Sequence, residues 1–323
     1  VTASPPGTTA TGLEFGIYVP QVAFGFGDIL ERALDCERLG IDALWLFDHL
    51  YSPGQPDLPS FEGWTLATAL LARTTRLRVG HLVTCNNFRH PALLAKMATT
   101  LDVVSDGRVE LGIGSGSVER EHLEAGLPWG SPRQRSDRLA EALEILTRMF
   151  EPGPTTFDGA HYQVRDLPNV PGPVQQPRPP IHIGGAGPLR TLPLVARYAD
   201  VWNVPTYALD RLDELNARLD TECERIGRDP AGLRRSLEAV LAVAPPSELA
   251  EAEALARRRF GSPGYGLDAG GFVGTPEQVT DRIGTLTEAG FSTFVFFTHD
   301  RARTETLELL AGEVLSNFPR LRT

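Results

Sequence analysis

Lysine is nearly missing from this 323-residue chain: Lys96 is the single example, and every other basic residue is arginine. That bias reads as a GC-rich coding genome rather than as function. Cysteine is scarce as well. Cys36, Cys85 and Cys223 are odd in number and far apart, which argues against a CxxC metal site and against a disulfide framework. A reducing cytoplasm is the expected location. No stretch approaches the ~18 consecutive apolar residues of a membrane span. Basic residues are outnumbered by acidic ones, 31 to 41, for a formal net charge of −10. Such a surface repels nucleic acid. With 41% hydrophobic and 22% charged residues, the composition is that of a globular protein. Residues 1–12 are rich in Thr, Ala, Pro and Gly and lack the basic and apolar regions of a secretory signal. They are expected to form a disordered tail.

What is present is an alternation of short apolar strands with amphipathic helices. Strands are expected at 13–20, 43–47, 77–84, 109–113, 181–184, 201–204, 237–243 and 293–297. The first alternates with period two, and ALWLF at 43–47 is continuously apolar, as in a strand buried on both faces. Helical spacing follows each strand. Pro91 opens one helix, and Thr275, Pro276 and Gln278 carry the cap, first-turn proline and capping-box glutamine of another. Eight β/α units in about 310 residues predict a TIM (β/α)8 barrel with insertions, a single domain over 13–323. A doubly wound sheet would want GxGxxG after its first strand, and PQVAFGFG stands there instead. The Pro/Gly-rich segment 151–180 interrupts the rhythm and reads as an inserted excursion with a hairpin. The glycine-rich loop 261–274 reads as a lid.

In a barrel of this kind the chemistry sits at the C-terminal ends of the strands. The second strand delivers Asp48 and His49. An imidazole titrates near neutrality and an adjacent carboxylate can orient it, so the pair reads as acid–base machinery or, in the simpler alternative, as a capped loop with a hydrogen-bonded histidine. The third strand ends in a polar run, Thr84-Cys85-Asn86-Asn87, which suggests a bulge at the mouth or an ordinary βα loop. Gly114-Ser115-Gly116 and Gly184-Gly185-Ala186-Gly187 are two glycine-rich mouths, the second just before a helix N-terminus. Together they suggest a cofactor carrying a phosphate. VEREH, with Glu119, Glu121 and His122, reads as a solvated helical turn rather than a metal site. His161 and His182 are assigned no function, and Trp45, Trp64, Trp129 and Trp202 are expected in the core or a pocket wall. No metal is expected.

The segments FGIYVPQ, LWLFDHLY, RHPALLAKMATTLDVVSDGRVELGIGSG, PPIHIGGAG and RYADVWNV, in this order, closely resemble the luciferase-like monooxygenase superfamily. Within it they resemble the actinobacterial branch that uses the deazaflavin coenzyme F420. The likeness runs from Leu13 to Phe318 and implies a TIM barrel, often dimeric. It places Asp48 and His49 at the deazaflavin ring, with His49 as the candidate for proton- or hydride-linked chemistry. It places Leu82–Val83, with a non-proline cis peptide, in a bulge against the ring and Thr84 at the ring edge. Gly114, Ser115 and Gly116, with Gly184 to Gly187, match the cofactor-tail cradle; Trp202, Asn203 and Val204 line the sixth strand's end. Two departures matter. Ser117 stands where the sugar-phosphate dehydrogenases of the family place a glutamate acid, and lysines that would clamp a substrate phosphate are missing.

The resemblance and the strand-end residues together imply a cytoplasmic, homodimeric oxidoreductase. It would pass hydride between coenzyme F420 and a small organic substrate, reducing a C=C or C=N bond or oxidising an alcohol. The substrate pocket is expected to be rimmed by Tyr18, Trp64 and the 261–274 loop. An FMNH2-dependent monooxygenase is the second reading and a non-catalytic flavin-binding barrel the third.

Overall fold

The computed structural model describes residues 12–261 and 266–321. The expected tail at 1–12 therefore lies, apart from Gly12, outside the described residues, as does the centre of the expected lid loop. Among the described residues twelve strands are present: β1 Glu14–Tyr18, β2 Ala43–Leu46, β3 Arg78–His81, β4 Thr84–Cys85, β5 Val109–Gly114, β6 Thr155–Asp158, β7 Gln163–Leu167, β8 Ile181–Gly184, β9 Val201–Pro205, β10 Arg234–Val243, β11 Phe272–Gly274 and β12 Thr293–Thr298. The α-helices among the described residues are α1 Phe26–Arg38, α2 Gly63–Leu71, α3 Pro91–Ser105, α4 Glu119–Glu124, α5 Pro132–Phe150, α6 Thr191–Tyr198, α7 Leu212–Arg225, α8 Leu249–Arg259, α9 Pro276–Glu288 and α10 Thr304–Leu309.

Eight parallel strands close a ring in the order β1, β2, β3, β5, β8, β9, β10, β12 and back to β1. They fall at the eight expected positions, and the TIM barrel is present as read. β4 and β11 extend the sheet beside β5 and β10. The expected excursion carries an antiparallel hairpin, β6 with β7. It is tied back to the barrel: Glu141 accepts the amides of Ala160, His161 and Tyr162, and Lys96 Nζ donates to the Val170 carbonyl at 2.6 Å. The one lysine is thus a strut for the insertion. Among the described residues no helix is long and apolar enough to cross a membrane.

Alternation along each strand sorts side chains into two sets. Phe15, Ile17, Leu44, Leu46, Leu111, Ile113, Ile181, Ile183, Phe294 and Phe296 join the large core between strands and helices. The other set fills the barrel, and there glycine makes room. An added Cβ at Gly16 would lie 2.5 Å from Trp45 Nε1, and one at Gly80 would lie 2.7 Å from Trp45 Cζ3. The Trp45 indole therefore plugs the barrel centre between two strands that yield to it. Below it, toward the N-terminal end, Glu14 binds Arg78, Arg234 and Thr293, and Glu110 binds Arg78 at 2.9 Å and His182 at 2.7 Å. These buried charges are paired, as burial requires. His182 is absorbed here, which agrees with assigning it no function.

Helix starts follow the local chemistry. Ser131 and Gln134 form a reciprocal capping box on α5, and Thr275 and Gln278 form one on α9, each with proline in the first turn.

Candidate active site

The second strand reaches the mouth under tight control. Gln21, fully buried after β1, donates Nε2 to the Phe47 carbonyl at 2.7 Å and accepts the Phe47 amide at 3.2 Å. Asp48 and His49 follow, and the structure gives them separate partners. Asp48 is buried and bidentate with Arg89, at 2.7 and 2.9 Å, and also accepts the Cys85 amide at 2.8 Å. It pins the β4–α3 connection to β2. The expectation that Asp48 orients its neighbour is corrected: its oxygens are committed to Arg89 and Cys85.

The carboxylate that holds His49 is Glu121. His49 Nδ1 lies 2.9 Å from Glu121 Oε2, and the other Glu121 oxygen accepts the Leu50 amide. An ionised carboxylate only accepts, so Nδ1 carries the hydrogen and Nε2 is the nitrogen open to a ligand. The His49 side chain is 23% exposed and Glu121 only 1%. The solvated reading of VEREH is therefore also corrected. Glu121 and His122 are buried, and His122 is structural: Nδ1 donates to Val118 O at 2.7 Å, and the ring packs on Phe88 and Trp129. Among the described residues no group of three or more His, Cys, Asp or Glu is placed to hold a metal.

The third barrel strand breaks as expected. A cis peptide joins Leu82 to Val83 between β3 and β4. Val83 swings under two glycines, where an added Cβ on Gly114 would lie 2.6 Å from Val83 Cγ2. Gly114 is thus small for Val83, not for a ligand. Gly184 differs. A Cβ there would meet only Asn203 Oδ1 and Val83 Cγ1, each at 3.5 Å, an ordinary contact. Packing does not require its glycine, and the space above it is a cradle that a side chain would fill. Gly185 has φ +114° and Gly116 φ +87°, a region glycine favours. The amides of Ala186 and Gly187 find no acceptor among the described residues, whereas Gly187 O already caps the Thr191 and Leu192 amides of α6. Two free amides beside an open glycine form an anion-accepting concavity.

Other expected ligands face away. Trp202 and Val204 are fully buried on the helix side of β9, and only Asn203 turns inward. Trp202 supports the cradle from behind, giving Nε1 to the Gly185 carbonyl at 2.8 Å. Thr84 is also fully buried, because the break before β4 shifts the strand's phase and leaves Val83 facing the barrel. Trp64 is not on a rim; its ring stacks on His81 behind the barrel wall at 4.8 Å. Tyr18 does face the mouth, stacked on Phe297 at 4.0 Å. Beside this pair a cavity of about 230 Å3 opens between the ends of β9, β10 and β12, lined by Asn203, Thr206, Glu238, Arg259 and Phe297. Glu238 belongs to no motif; in the sequence it is a lone charge within the apolar run of β10.

The family model for luciferase-like monooxygenases matches residues 6–268. An F420-dependent glucose-6-phosphate dehydrogenase of Microbacterium testaceum is 31% identical over 258 residues, 78% of this chain and 73% of that one. An F420-dependent hydroxymycolic acid dehydrogenase of Mycobacterium tuberculosis is 27% identical over 76% of this chain and 68% of that one. A solved F420-dependent secondary alcohol dehydrogenase, in complex with an F420–acetone adduct, superposes with a TM-score of 0.77 over 94% of this chain and 98% of that one. At 21% identity it speaks for the fold. On the family match across most of its length, the chain belongs to the luciferase-like monooxygenase family.

Proposed function

We propose that the protein is a coenzyme F420-dependent oxidoreductase acting on a small organic substrate. The observation that carries this reading is the juxtaposition of His49, locked by Glu121 into one tautomer, with the open glycine cradle at the same end of the barrel. The F420-dependent relatives support it.

Gly184, Gly185 and the Ala186 and Gly187 amides would hold the anionic tail, with Ser115 and Gly116 beside them. Val83 and Asn203 would bound the ring's space, and His49 Nε2 would face it. Bound there, the deazaflavin supplies or accepts the hydride. The protein's share is to fix the ring plane, exclude water, and hold or move a proton at His49 Nε2. Asp48 serves at one remove, by setting the loop that carries Val83.

The substrate is a neutral molecule rather than a sugar phosphate. Ser117 replaces the expected acid, and Lys96 is committed to the Val170 carbonyl, so neither the acid nor a lysine clamp for a substrate phosphate is in place. A cytoplasmic location fits the three free, buried cysteines, and the family resemblance favours a homodimer.

Equilibrium titration of the purified protein tests this reading. Coenzyme F420 binding more tightly than FMN is the expected result. Tighter FMN binding would favour an FMNH2-dependent monooxygenase, and deazaflavin binding without any turnover would favour a non-catalytic flavin-binding barrel.

A further inference from the structure

Glu238 has no part in holding His49 or the glycine cradle. Strand alternation turns Ser236 and Glu238 inward on β10. Ser236 is engaged, its Oγ accepting Asn203 Nδ2 at 3.1 Å. The Glu238 carboxyl makes no hydrogen bond and no ion pair with any described residue. It is enclosed by protein yet reachable through the cavity it lines.

Among the described residues, its surroundings come from β1, β9, β12 and the end of α8. From β1 comes the Tyr18 phenol, stacked on Phe297 of β12. From β9 come Asn203 and, just beyond, Pro205 and Thr206. From the end of α8 comes Arg259, whose Nη1 donates to the His299 carbonyl at 3.0 Å and which forms no ion pair with Glu238. Burial pushes the Glu238 carboxyl up to about 8. Burial, and then the nearby Glu238, pushes the Tyr18 phenol well above its ordinary range. At neutral pH the carboxyl is therefore mostly a neutral acid with a proton to give, next to a phenol that stays protonated. The cavity, at about 230 Å3, falls below the ~300–1,000 Å3 of drug-sized ligand sites and suits a small substrate.

We propose that Glu238 is the catalytic acid–base residue for the substrate, and that the substrate is a small neutral compound with a polarised C=X bond, or the alcohol or amine formed from it. The inference deepens the hydride-transfer reading and rests on it. In the reducing direction hydride forms the new C–H bond, and the electron pair of the broken C=X π bond moves onto X. That atom takes the Glu238 proton, the carboxyl O–H bond breaks, and water entering the cavity returns a proton to the carboxylate. In the oxidising direction ionised Glu238 removes the X–H proton as hydride leaves carbon.

Two measurements test it. The first needs no coenzyme: 13C NMR of the side-chain carboxyls in glutamate-labelled protein, with the Glu238 signal assigned by its loss in Glu238→Gln. A midpoint near 8 is expected; an ordinary midpoint near 4.5 would overturn the proposal. The second is anaerobic single-turnover oxidation of reduced F420 by cyclohex-2-enone, cyclohexanone and acetone. Glu238→Gln, which keeps the shape but has no proton to release, should slow the step ~100–10,000-fold. It should also erase the alkaline limb of the pH profile and leave the coenzyme dissociation constant unchanged. Glu238→Asp should recover part of the rate. A wild-type rate and pH profile in Glu238→Gln would overturn this inference alone. Failure of all three carbonyl probes would overturn the substrate class. A wild-type protein that binds no deazaflavin would instead overturn the reading beneath it.

Discussion

His49 Nδ1 and Glu121 Oε2 meet at 2.9 Å, joining the end of the second barrel strand to a short helix after the fourth. This contact, not the adjacent Asp48, fixes the imidazole. His49→Ala is expected to lose ~100–10,000-fold in turnover while keeping the fold and most coenzyme affinity, the range for a removed acid–base group. Wild-type turnover across pH 6–9 would remove His49 from the mechanism.

Glu121→Ala should act through His49. In 15N spectra the wild-type ring should show hydrogen at Nδ1, and the variant a mixture of tautomers, with turnover reduced more than the Michaelis constant is raised. An unchanged tautomer would mean that other contacts orient the ring.

Asp48 and Arg89 make a different prediction. Both side chains are largely buried, at 3% and 11% exposure. Asp48→Ala removes the bidentate partner, leaves the guanidinium only a 3.5 Å contact to the exposed Glu62, and should cost about 3–5 kcal/mol of stability. Chemical denaturation measures it. A loss below about 1 kcal/mol, the scale of exposed ion pairs, would show that the pair is not a buried strut.

The cradle can be probed at two neighbouring glycines with different outcomes. At Gly184 the apoprotein has room for a methyl group. Gly184→Ala should therefore keep its melting temperature and weaken the coenzyme at least tenfold, about 1.4 kcal/mol. At Gly185, with φ +114°, any side chain is strained, so Gly185→Val should lose stability as well as affinity, by roughly 1–3 kcal/mol. Unchanged coenzyme binding in Gly184→Ala would place the coenzyme elsewhere.

Glu238 also leaves a mark on stability. Its folded value, about 8, is raised above the ordinary 4.5. Below 4.5 folded and unfolded chains both hold the proton. Between 4.5 and 8 the folded chain holds more of it, so stability falls as pH rises through this window. Denaturation midpoints of Glu238→Gln against wild type should diverge across it, with the variant flatter. Parallel curves would contradict a raised carboxyl.

Much of this architecture is legible in the sequence, and the exceptions have physical causes. Eight strands stand out because each alternates or runs apolar between breakers, and the break at Leu82–Val83 is marked by the polar run after it. The facing of individual residues is harder to read. One irregular step before β4 buries Thr84 and turns Val83 inward, and simple alternation buries Trp202 and Val204 while presenting Asn203. Long-range partners leave no local trace. Glu121 looks like a surface acid in VEREH, and only closure of the barrel brings it under His49. Glu238 does carry a local signal, a lone charge at an inward position of an apolar strand.

Anaerobic stopped-flow spectroscopy distinguishes hydride transfer from oxygen chemistry. The deazaflavin has carbon where a flavin has the N5 nitrogen, so its reduced form passes hydride and reacts only sluggishly with dioxygen. Deazaflavin absorbance should return on mixing reduced coenzyme and enzyme with a small neutral carbonyl compound, at the same rate with and without air. Strict dependence on oxygen, with one atom of labelled dioxygen in the product, would contradict hydride transfer and make the protein a monooxygenase.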